Sequence, residues 1–365
     1  MTDMVKHVID IRENVPLADV TSFAVGGPAR YYVEISSEEG AVSALEFARN
    51  SDLEHLVLGA GSNVLISDEG FPGLVLLNRI KGLSVEEQGD DVFVTVGGGE
   101  NWQDFVDFCV ARNWQGLECL AGIPGTVGAS PIQNVGAYGQ EVSQAIAWVR
   151  CMETATGNIV VFESGECGFR YRESIFTTMA AGKYLVLSVT FALTKGGAPL
   201  IRYRELEERL SATPSPTLAE VRDAVIAIRA GKGVLIRTGY ESFKCAGSFF
   251  KNPIVTAAQF KDIEAIFPGN GGGTAWSWPV PTGEVKISAA YLIQRAGFER
   301  GYRKGKVGLS PYHTLILINC GGATSRELVD FAVQVQHRVL ERFGALLQPE
   351  ARLIGFSSSP LLVHS

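Results

Sequence analysis

The chain has 365 residues, of which 46% are hydrophobic and 19% are charged, a composition typical of a globular protein with two or three domains. A formal net charge of −7 without any cluster of basic residues argues against a nucleic-acid-binding protein. The six cysteines form no CxxC pair and the five histidines show no metal-ligand spacing, so we predict neither a disulfide framework nor a bound metal.

The first part of the chain predicts strands and one helix. Alternating apolar residues at Tyr31, Val33 and Ile35 indicate a strand. A helix is predicted from Glu38 to about Asn50, after two serines. Further strands are predicted at Leu56–Leu58 and Leu74–Leu77, on either side of a glycine-rich loop.

This loop, Gly59–Asp68, has two glycines followed by Ser62 and Asn63. Its N–H groups and these two side chains suit a phosphate, although a ligand-free turn between strands explains the loop equally well. A Rossmann fingerprint or a P-loop requires a helix directly after the loop. Here a strand follows, and Val64 interrupts the GxGxxG spacing, so both are disfavoured.

The middle of the chain predicts a sheet, a helix and a second glycine-rich segment. Alternating valines from Val92 to Val96 indicate a strand, and apolar residues from Trp102 to Val110 share one helix face. The segment Gly122–Gly139 has no period and few charges, which favours a backbone-lined wall against a flat ligand. A hairpin is predicted at 147–162 and a strand at 185–193. The apolar runs are too short to span a bilayer, and no secretory leader is recognised.

The last part begins after a proline-containing linker at Thr213–Pro216. Capping boxes at Thr217 and Thr324 predict helices to about Arg229 and to Gly344. Ser248 lies between a glycine and two phenylalanines, which suits either a hydroxyl in a dry pocket or a buried turn serine. A frayed tail is predicted for Ser357–Ser365.

Several of these segments together resemble the UDP-N-acetylenolpyruvoylglucosamine reductase family, flavoenzymes of peptidoglycan precursor synthesis. The resemblance extends from about residue 15 to 355, and each segment alone is a weak signal. The matching segments are Thr21–Ala29, Gly59–Asp68, Ile123–Gly139, Tyr171–Phe176, Gly247–Pro253, Thr324–Glu327 and Pro349–Glu350.

The resemblance implies an α+β fold with a vanillyl-alcohol-oxidase (PCMH)-type FAD-binding domain of two α+β subdomains. A C-terminal α+β substrate-binding domain would close over the substrate. The implied division is 1–80 with 345–365 for the first FAD subdomain, 81–216 for the second, and 217–344 for the substrate domain.

The implied cofactor is non-covalent FAD, with NADPH as co-substrate. The first loop would hold the FAD pyrophosphate and the second segment would line the isoalloxazine ring. The cofactor-binding residues predicted in this way are Gly59, Gly61, Ser62, Asn63, Val64, Leu65, Ile123, Pro124, Gly125, Gly128, Ala129, Gln133, Asn134, Gly136 and Ala137.

The implied reaction is reduction of UDP-N-acetylglucosamine enolpyruvate to UDP-N-acetylmuramate. From the cysteines, the charge and the short apolar runs we predict a cytoplasmic protein without nucleic-acid or membrane partners, and we expect a monomer. Arg172 would stabilise the enolate, Ser248 would donate a proton, and Glu350 would polarise the intermediate or act as an acid itself. The predicted substrate-binding residues are Tyr171, Tyr203, Lys232, Asn252 and Lys286. Gln294 is either a pocket residue or an ordinary residue of a helix surface.

Two alternatives stay open beside this interpretation. One is another FAD oxidoreductase or oxidase on the same scaffold, acting on a different small molecule, for which no proton donor such as Ser248 is needed. The other is a sugar-nucleotide sensor that lost its activity, which would purify without colour and still bind the UDP-sugar.

Overall fold

The computed structural model describes residues 9–235, 243–266 and 276–362. The helices are α1 (Glu38–Asn50), α2 (Trp102–Ala111), α3 (Arg204–Leu210), α4 (Leu218–Gly231), α5 (Ala257–Ile266), α6 (Ala289–Arg295) and α7 (Ser325–Phe343). The strands are β1 (Arg12–Pro16), β2 (Pro28–Ile35), β3 (His55–Leu58), β4 (Val64–Ile66), β5 (Phe71–Asn78), β6 (Leu83–Gln88), β7 (Asp91–Gly97), β8 (Trp114–Gln115), β9 (Gly136–Ala137), β10 (Gln140–Glu141), β11 (Ile146–Glu153), β12 (Ile159–Glu163), β13 (Tyr184–Lys195), β14 (Ile254–Val255), β15 (Ser277–Pro279), β16 (Val285–Ile287), β17 (Arg303–Lys304), β18 (Val307–Leu309), β19 (Leu317–Asn319) and β20 (Arg352–Ile354).

The first sheet has the strand order β1-β2-β5-β3, with β2, β5 and β3 parallel. Successive side chains of a strand point to opposite faces, so Leu74 and Leu76 pack under helix α1 while Val75 and Leu77 enter a separate core. The side chain of Ser37 caps α1 by accepting from the N–H of Gly40. The predicted helix and strands of this region are confirmed.

The second sheet is antiparallel, with the order β12-β11-β13-β7-β6 and β8 beside β13. Trp102 and Phe105 of α2 pack with Phe191 of β13 in its core. Helix α4 also packs here, because its Val221 and Val225 are fully buried in the same cluster. The predicted division placed this helix in the third part of the chain, whereas its apolar face contacts the second.

The third core gathers two small sheets, β14-β16-β15 and β17-β18-β19, around α6 and α7. The predicted capping box of Thr324 with Glu327 begins α7, and Gly344 ends it in the left-handed conformation. Among the described helices, none is long and apolar enough to cross a membrane. After α7 the chain returns to its first part, where β20 pairs in parallel with β4 beside the glycine-rich loop.

The prediction of a frayed C-terminal tail is wrong for residues 361–362, while residues 357–359 are exposed and residues 363–365 lie outside the described chain. Leu361 is 2% exposed. The buried amide of Gln336 on α7 donates to the carbonyl of Leu362 and accepts from its N–H, both at about 2.8–2.9 Å. Because the buried amide both donates to and accepts from the backbone of Leu362, it holds this irregular segment as a paired β-strand would.

Asp68 joins the glycine-rich loop to the third core. Its carboxylate accepts from the N–H groups of Ser325 and Arg326 at 2.7 and 2.9 Å, at the N-terminus of α7. We expect Asp68→Asn to lower the free energy of unfolding by about 1–2 kcal/mol, because it removes an anion and an acceptor from a helix N-terminus. Urea denaturation measures this change, with Glu69→Gln as the exposed neighbouring control. Equal losses in both variants would contradict the assigned contact.

Candidate active site

A cavity of about 1270 Å³ lies between the first sheet, the second sheet and the third core. Most of the residues predicted from the sequence line it, although they come from segments far apart in the chain. The predicted residues in its wall are Gly59, Gly61, Ser62, Asn63, Val64, Ile123, Pro124, Gly125, Gly128, Ala129, Gln133, Gly136, Ala137, Tyr171, Arg172, Tyr203, Lys232, Ser248, Asn252, Lys286 and Glu350.

Two residues predicted to bind the cofactor lie behind the cavity wall. Leu65 is fully buried in the third core, because its neighbours in strand β4 take the opposite face. Asn134 is 1% exposed, and its amide donates to the carbonyl of Arg170 and to the carboxylate of Glu141. Its position indicates that Asn134 supports the turn after residue 169 rather than the cofactor.

The glycine-rich loop turns its carbonyls to the protein and leaves its N–H groups free. The carbonyls of Gly61 and Asn63 accept from the N–H groups of Ser22 and Arg352. Within the described chain, the N–H groups of residues 60–63 donate to no protein acceptor. Four successive N–H groups without a protein acceptor, at the wall of a cavity, are suited to an anionic ligand.

The side chains of this loop are engaged within the protein, which differs from the prediction that they add donors for a phosphate. The hydroxyl of Ser62 donates to the carbonyl of Pro124 at 3.0 Å. The amide of Asn63 donates to the Gln133 side chain and to the carbonyl of Glu350. Gln133 donates to the same carbonyl at 2.9 Å. These two amides therefore tie the loop and the second segment to Glu350.

Two glycines of the second segment are required by contacts within the protein. A Cβ at Gly128 would lie 2.9 Å from the backbone of Gly98. A Cβ at Gly136 would lie 2.9 Å from Nη1 of Arg172, whose guanidinium donates to the carbonyl of Gly136. The glycine at position 136 thus makes room for the arginine beside it.

Arg172 stands on a tight turn in which the backbones of Arg170 and Glu173 pair with each other. Its φ of 56° lies in the left-handed region, which costs free energy for a residue with a side chain. The carbonyl of Arg170 receives the amide of Asn134, and Ser174 donates to the carbonyl of Ile132. The second segment therefore holds the turn that presents Arg172.

Arg172 and Glu350 form an ion pair in the cavity wall. Nε of Arg172 donates to Oε1 of Glu350 at 3.0 Å, and each side chain is 19% exposed. Burial raises the pKa of Glu350, and the neighbouring Arg172 opposes this rise. A carboxyl group with a raised pKa keeps its proton to higher pH, which suits a hydrogen-bond donor or an acid.

Ser248 lies beside Glu350 because two chain segments pair. The N–H of Glu350 donates to the carbonyl of Phe249, and the N–H of Lys251 donates to that of Gln348, both at 2.8 Å. Phe249 and Phe250 are buried in the third core, so the residue before them faces the cavity from a fixed position. The structure thus brings Arg172, Ser248 and Glu350 to one region of the wall.

Next to this region lies a cation between aromatic rings. Nζ of Lys286 is 4.9 Å from the ring centre of Tyr171 and 5.7 Å from that of Trp278. Burial lowers the pKa of Lys286, and no carboxylate within the described chain forms an ion pair with it. Asn252 lines the same part of the cavity, where its side chain accepts from the N–H of Ala289 at 2.9 Å.

Tyr203 and Lys232 occupy another part of the wall. The Tyr203 ring stands edge-on to Tyr138 at 5.4 Å, and Lys232 lies 5.5 Å from the Tyr138 ring centre. Lys232 also pairs with Glu205 at 2.6 Å, so its charge is already balanced. Gln294 is exposed on α6, which agrees with an ordinary residue of a helix surface.

Sequence reasoning missed Arg229 and His313, which also line the cavity. Tyr138 lines it too, at the end of the stretch that was predicted to lie against the isoalloxazine ring. Arg229 donates to the carbonyl of Gly122 at 2.9 Å, and burial lowers its pKa. The sequence could have indicated that Arg229 is buried, because Val221, Val225 and Arg229 are spaced four residues apart on one face of α4. No pattern in the sequence marks His313.

The cavity fits FAD by its chemistry and size. The free N–H groups at residues 60–63 suit the pyrophosphate, and the uncharged backbone of residues 123–137 suits a flat ring. A volume of about 1270 Å³ exceeds that of an ordinary small-molecule pocket of roughly 300–1,000 Å³. It leaves room for a second ligand beside the cofactor.

Two family descriptions match the chain. Residues 29–163 match the FAD binding domain, and residues 239–354 match the C-terminal domain of UDP-N-acetylenolpyruvoylglucosamine reductase. These matches confirm the predicted α+β fold with its PCMH-type FAD-binding domain, and FAD as the cofactor.

Proteins similar to this chain carry the same name. A UDP-N-acetylenolpyruvoylglucosamine reductase of Thermobifida fusca is 42% identical over 94% of this chain and 97% of the relative. Another from Burkholderia multivorans is 41% identical over 92% of this chain and 94% of the relative. The solved reductase of Thermus caldophilus has a TM-score of 0.62 and 25% identity, covering 94% of this chain and 99% of that one. On these grounds, the chain belongs to the UDP-N-acetylenolpyruvoylglucosamine reductase family.

Proposed function

We propose that the chain reduces UDP-N-acetylglucosamine enolpyruvate to UDP-N-acetylmuramate, with FAD as cofactor and NADPH as reductant, in peptidoglycan precursor synthesis. The observation that carries this proposal is the Arg172–Glu350 ion pair beside Ser248, in a cavity that also holds an anion-binding loop. An FAD oxidase on the same scaffold needs no such group of a cation, a hydroxyl and a carboxyl with a raised pKa.

Residues 60–63 would hold the pyrophosphate of the cofactor through their N–H groups, and the backbone of residues 123–137 would lie against its flat ring. FAD held there and reduced by NADPH would supply the hydride for one carbon of the enolpyruvoyl double bond. The protein must then stabilise the negative charge that develops on the substrate and deliver a proton to the neighbouring carbon.

Arg172 is proposed to face the substrate carboxylate, where charge accumulates as an enolate forms. Its guanidinium is held by Glu350 and by the carbonyl of Gly136. A cation fixed before the reaction stabilises this charge without reorganisation. The left-handed backbone at Arg172 is consistent with a residue kept for function at some cost in stability.

Ser248 is proposed to give its hydroxyl proton to the enolate carbon. An ordinary serine is a weak acid, so it transfers a proton only to a strong base in a site that excludes water. The buried Phe249 and Phe250 that follow it limit access from one side. Oε1 of Glu350 accepts from Arg172, and Glu350 is proposed to hydrogen-bond the enolate oxygen through its other oxygen when that oxygen carries a proton.

The substrate-binding roles remain proposals. Lys286 and Lys232 are both proposed to bind a diphosphate. Lys286 lies beside two aromatic rings, and no carboxylate of the described chain forms an ion pair with it. Lys232 must share its charge with Glu205. Tyr171, Tyr203 and Asn252 would contact the rest of the nucleotide sugar.

The organisation of the protein is also proposed. The division into 1–80 with 345–365, 81–216 and 217–344 is supported by the pairing of β20 with β4, with helix α4 assigned to the second part by its packing. We predict a monomer that acts in the cytoplasm. Sedimentation equilibrium tests whether the protein is a monomer.

Glu350 predicts a pH dependence. Burial raises its pKa, so the carboxyl loses its proton, and its ability to donate, as pH rises through this value. We expect reoxidation of the reduced wild-type enzyme by substrate to slow as pH rises through this pKa, which gives the pH profile an alkaline limb. In Glu350→Gln the limb should be absent, because the amide donates at every pH. Stopped-flow pH profiles measure this, and a limb that persists in the Gln variant would contradict the assignment.

The experiment that tests the function uses the purified holoenzyme. A visible spectrum with flavin bands is expected, together with NADPH oxidation that depends on the enolpyruvoyl UDP-sugar. Rapid reoxidation by oxygen without any response to the UDP-sugar would contradict the proposal. A colourless protein that binds the sugar nucleotide would contradict it as well.

A further inference from the structure

His313 is a cavity residue to which the proposed reaction assigns no role. It lies in the loop between β18 and β19 and lines the cavity with Lys232 and Arg229. Its Nδ1 accepts from the N–H of Leu315 at 3.2 Å. A ring nitrogen that accepts a hydrogen bond carries no proton, so a neutral ring must carry its proton on Nε2.

The surroundings keep this ring neutral. Burial and the nearby charges of Lys232 and Arg300 lower the pKa of His313 to about 4. Nε2 therefore presents an N–H donor across the physiological pH range. Within the described chain, Nε2 has no hydrogen-bond acceptor, and it is not enclosed as a buried unpaired atom. A donor that faces a cavity between cations is complementary to an anionic oxygen.

We propose that His313 donates a hydrogen bond from Nε2 to a phosphate oxygen of the nucleotide that enters the cavity beside Lys232. This inference rests on the proposed function, which places two diphosphates in the cavity in turn, that of the UDP-sugar and that of NADPH. Both offer the same chemistry to His313, and separate measurements distinguish them. His313 thus acts as a positioning residue for the nucleotide.

Two substitutions separate the two ring nitrogens. His313→Asn keeps an acceptor near Nδ1 for the N–H of Leu315 and loses the donor at Nε2. His313→Gln places an amide near Nε2 and loses the acceptor. Loss of the donor at Nε2 should therefore weaken nucleotide binding, whereas loss of the acceptor at Nδ1 should lower the melting temperature. A purely structural histidine would change both properties together.

The test titrates each holoenzyme with UDP by calorimetry and measures flavin reduction against NADPH concentration by stopped flow. His313→Asn should weaken UDP binding, NADPH binding or both by about 10–100-fold, the usual range for a lost hydrogen bond to a charged group. His313→Gln should remain within about threefold of the wild type but melt at lower temperature. His337→Asn, an exposed histidine on α7, is the matched control.

Weaker UDP binding would show that His313 contacts the diphosphate of the UDP-sugar, and weaker NADPH binding would show that it contacts that of NADPH. Wild-type affinity of His313→Asn in both arms would overturn the inference while the wild-type enzyme still turns over its substrate. Equal losses in the Asn and Gln variants would overturn it too. A wild-type protein that neither binds UDP nor oxidises NADPH with the UDP-sugar would instead contradict the proposed function, and the inference with it.

Discussion

Ser248→Ala is expected to slow the reoxidation of reduced enzyme by substrate by about 10²–10⁴-fold, the range for loss of a positioned acid, and to leave reduction by NADPH nearly unchanged. The hydroxyl is needed only after the hydride has reached the substrate. Anaerobic stopped-flow absorbance follows the two half-reactions separately.

The control for this prediction is Ser248→Cys, which retains a proton donor at the same place. We expect it to recover part of the lost rate. Equal losses in both half-reactions of a folded alanine variant would show that Ser248 supports the site structurally and gives no proton.

Arg172→Met is expected to slow the same half-reaction by roughly 10²–10³-fold, the usual result of removing one fixed group that stabilises developing charge. The substitution also leaves the buried carboxyl of Glu350 without its cation. The pKa of Glu350 should then rise further, and the alkaline limb of the pH profile should move upward. Stopped-flow rates across pH measure both effects.

Arg170→Met is the matched control, because this arginine stands on the same turn with a side chain that is 81% exposed. It should behave as the wild type in both half-reactions. A similar loss in the two variants would indicate that the turn as a whole, and not the guanidinium of Arg172, is responsible.

The sequence predicted those parts of the fold that local patterns determine. Helix α1 and the capping boxes of α4 and α7 were predicted because caps and apolar spacing lie within a few residues of one another. The pairing of β20 with β4 joins residues 352–354 to 64–66, and a strand of three residues leaves no periodic signal. The burial of Leu361 likewise depends on Gln336 of a distant helix.

The site shows the same division. Motif resemblance named Arg172, Ser248 and Glu350. The backbone pairing between residues 249–251 and 348–350 places Ser248 beside Glu350, and a side-chain hydrogen bond joins Arg172 to Glu350. The sequence predicted a loop that suits a phosphate. In the structure the free donors are backbone N–H groups, whereas the side chains of Ser62 and Asn63 form hydrogen bonds within the protein. Asn134 was assigned to the cofactor because the resemblance placed its whole segment against the isoalloxazine ring, whereas its side chain donates to the carbonyl of Arg170.

Arg172 and Ser248 are proposed to act together on one enolate intermediate. The most direct test is the rate at which substrate reoxidises the reduced double variant Arg172→Met/Ser248→Ala, compared with each single variant. Groups that act together on one step show losses that do not add. The double variant should be nearly as fast as the slower single variant. A loss equal to the product of the two single losses would contradict it.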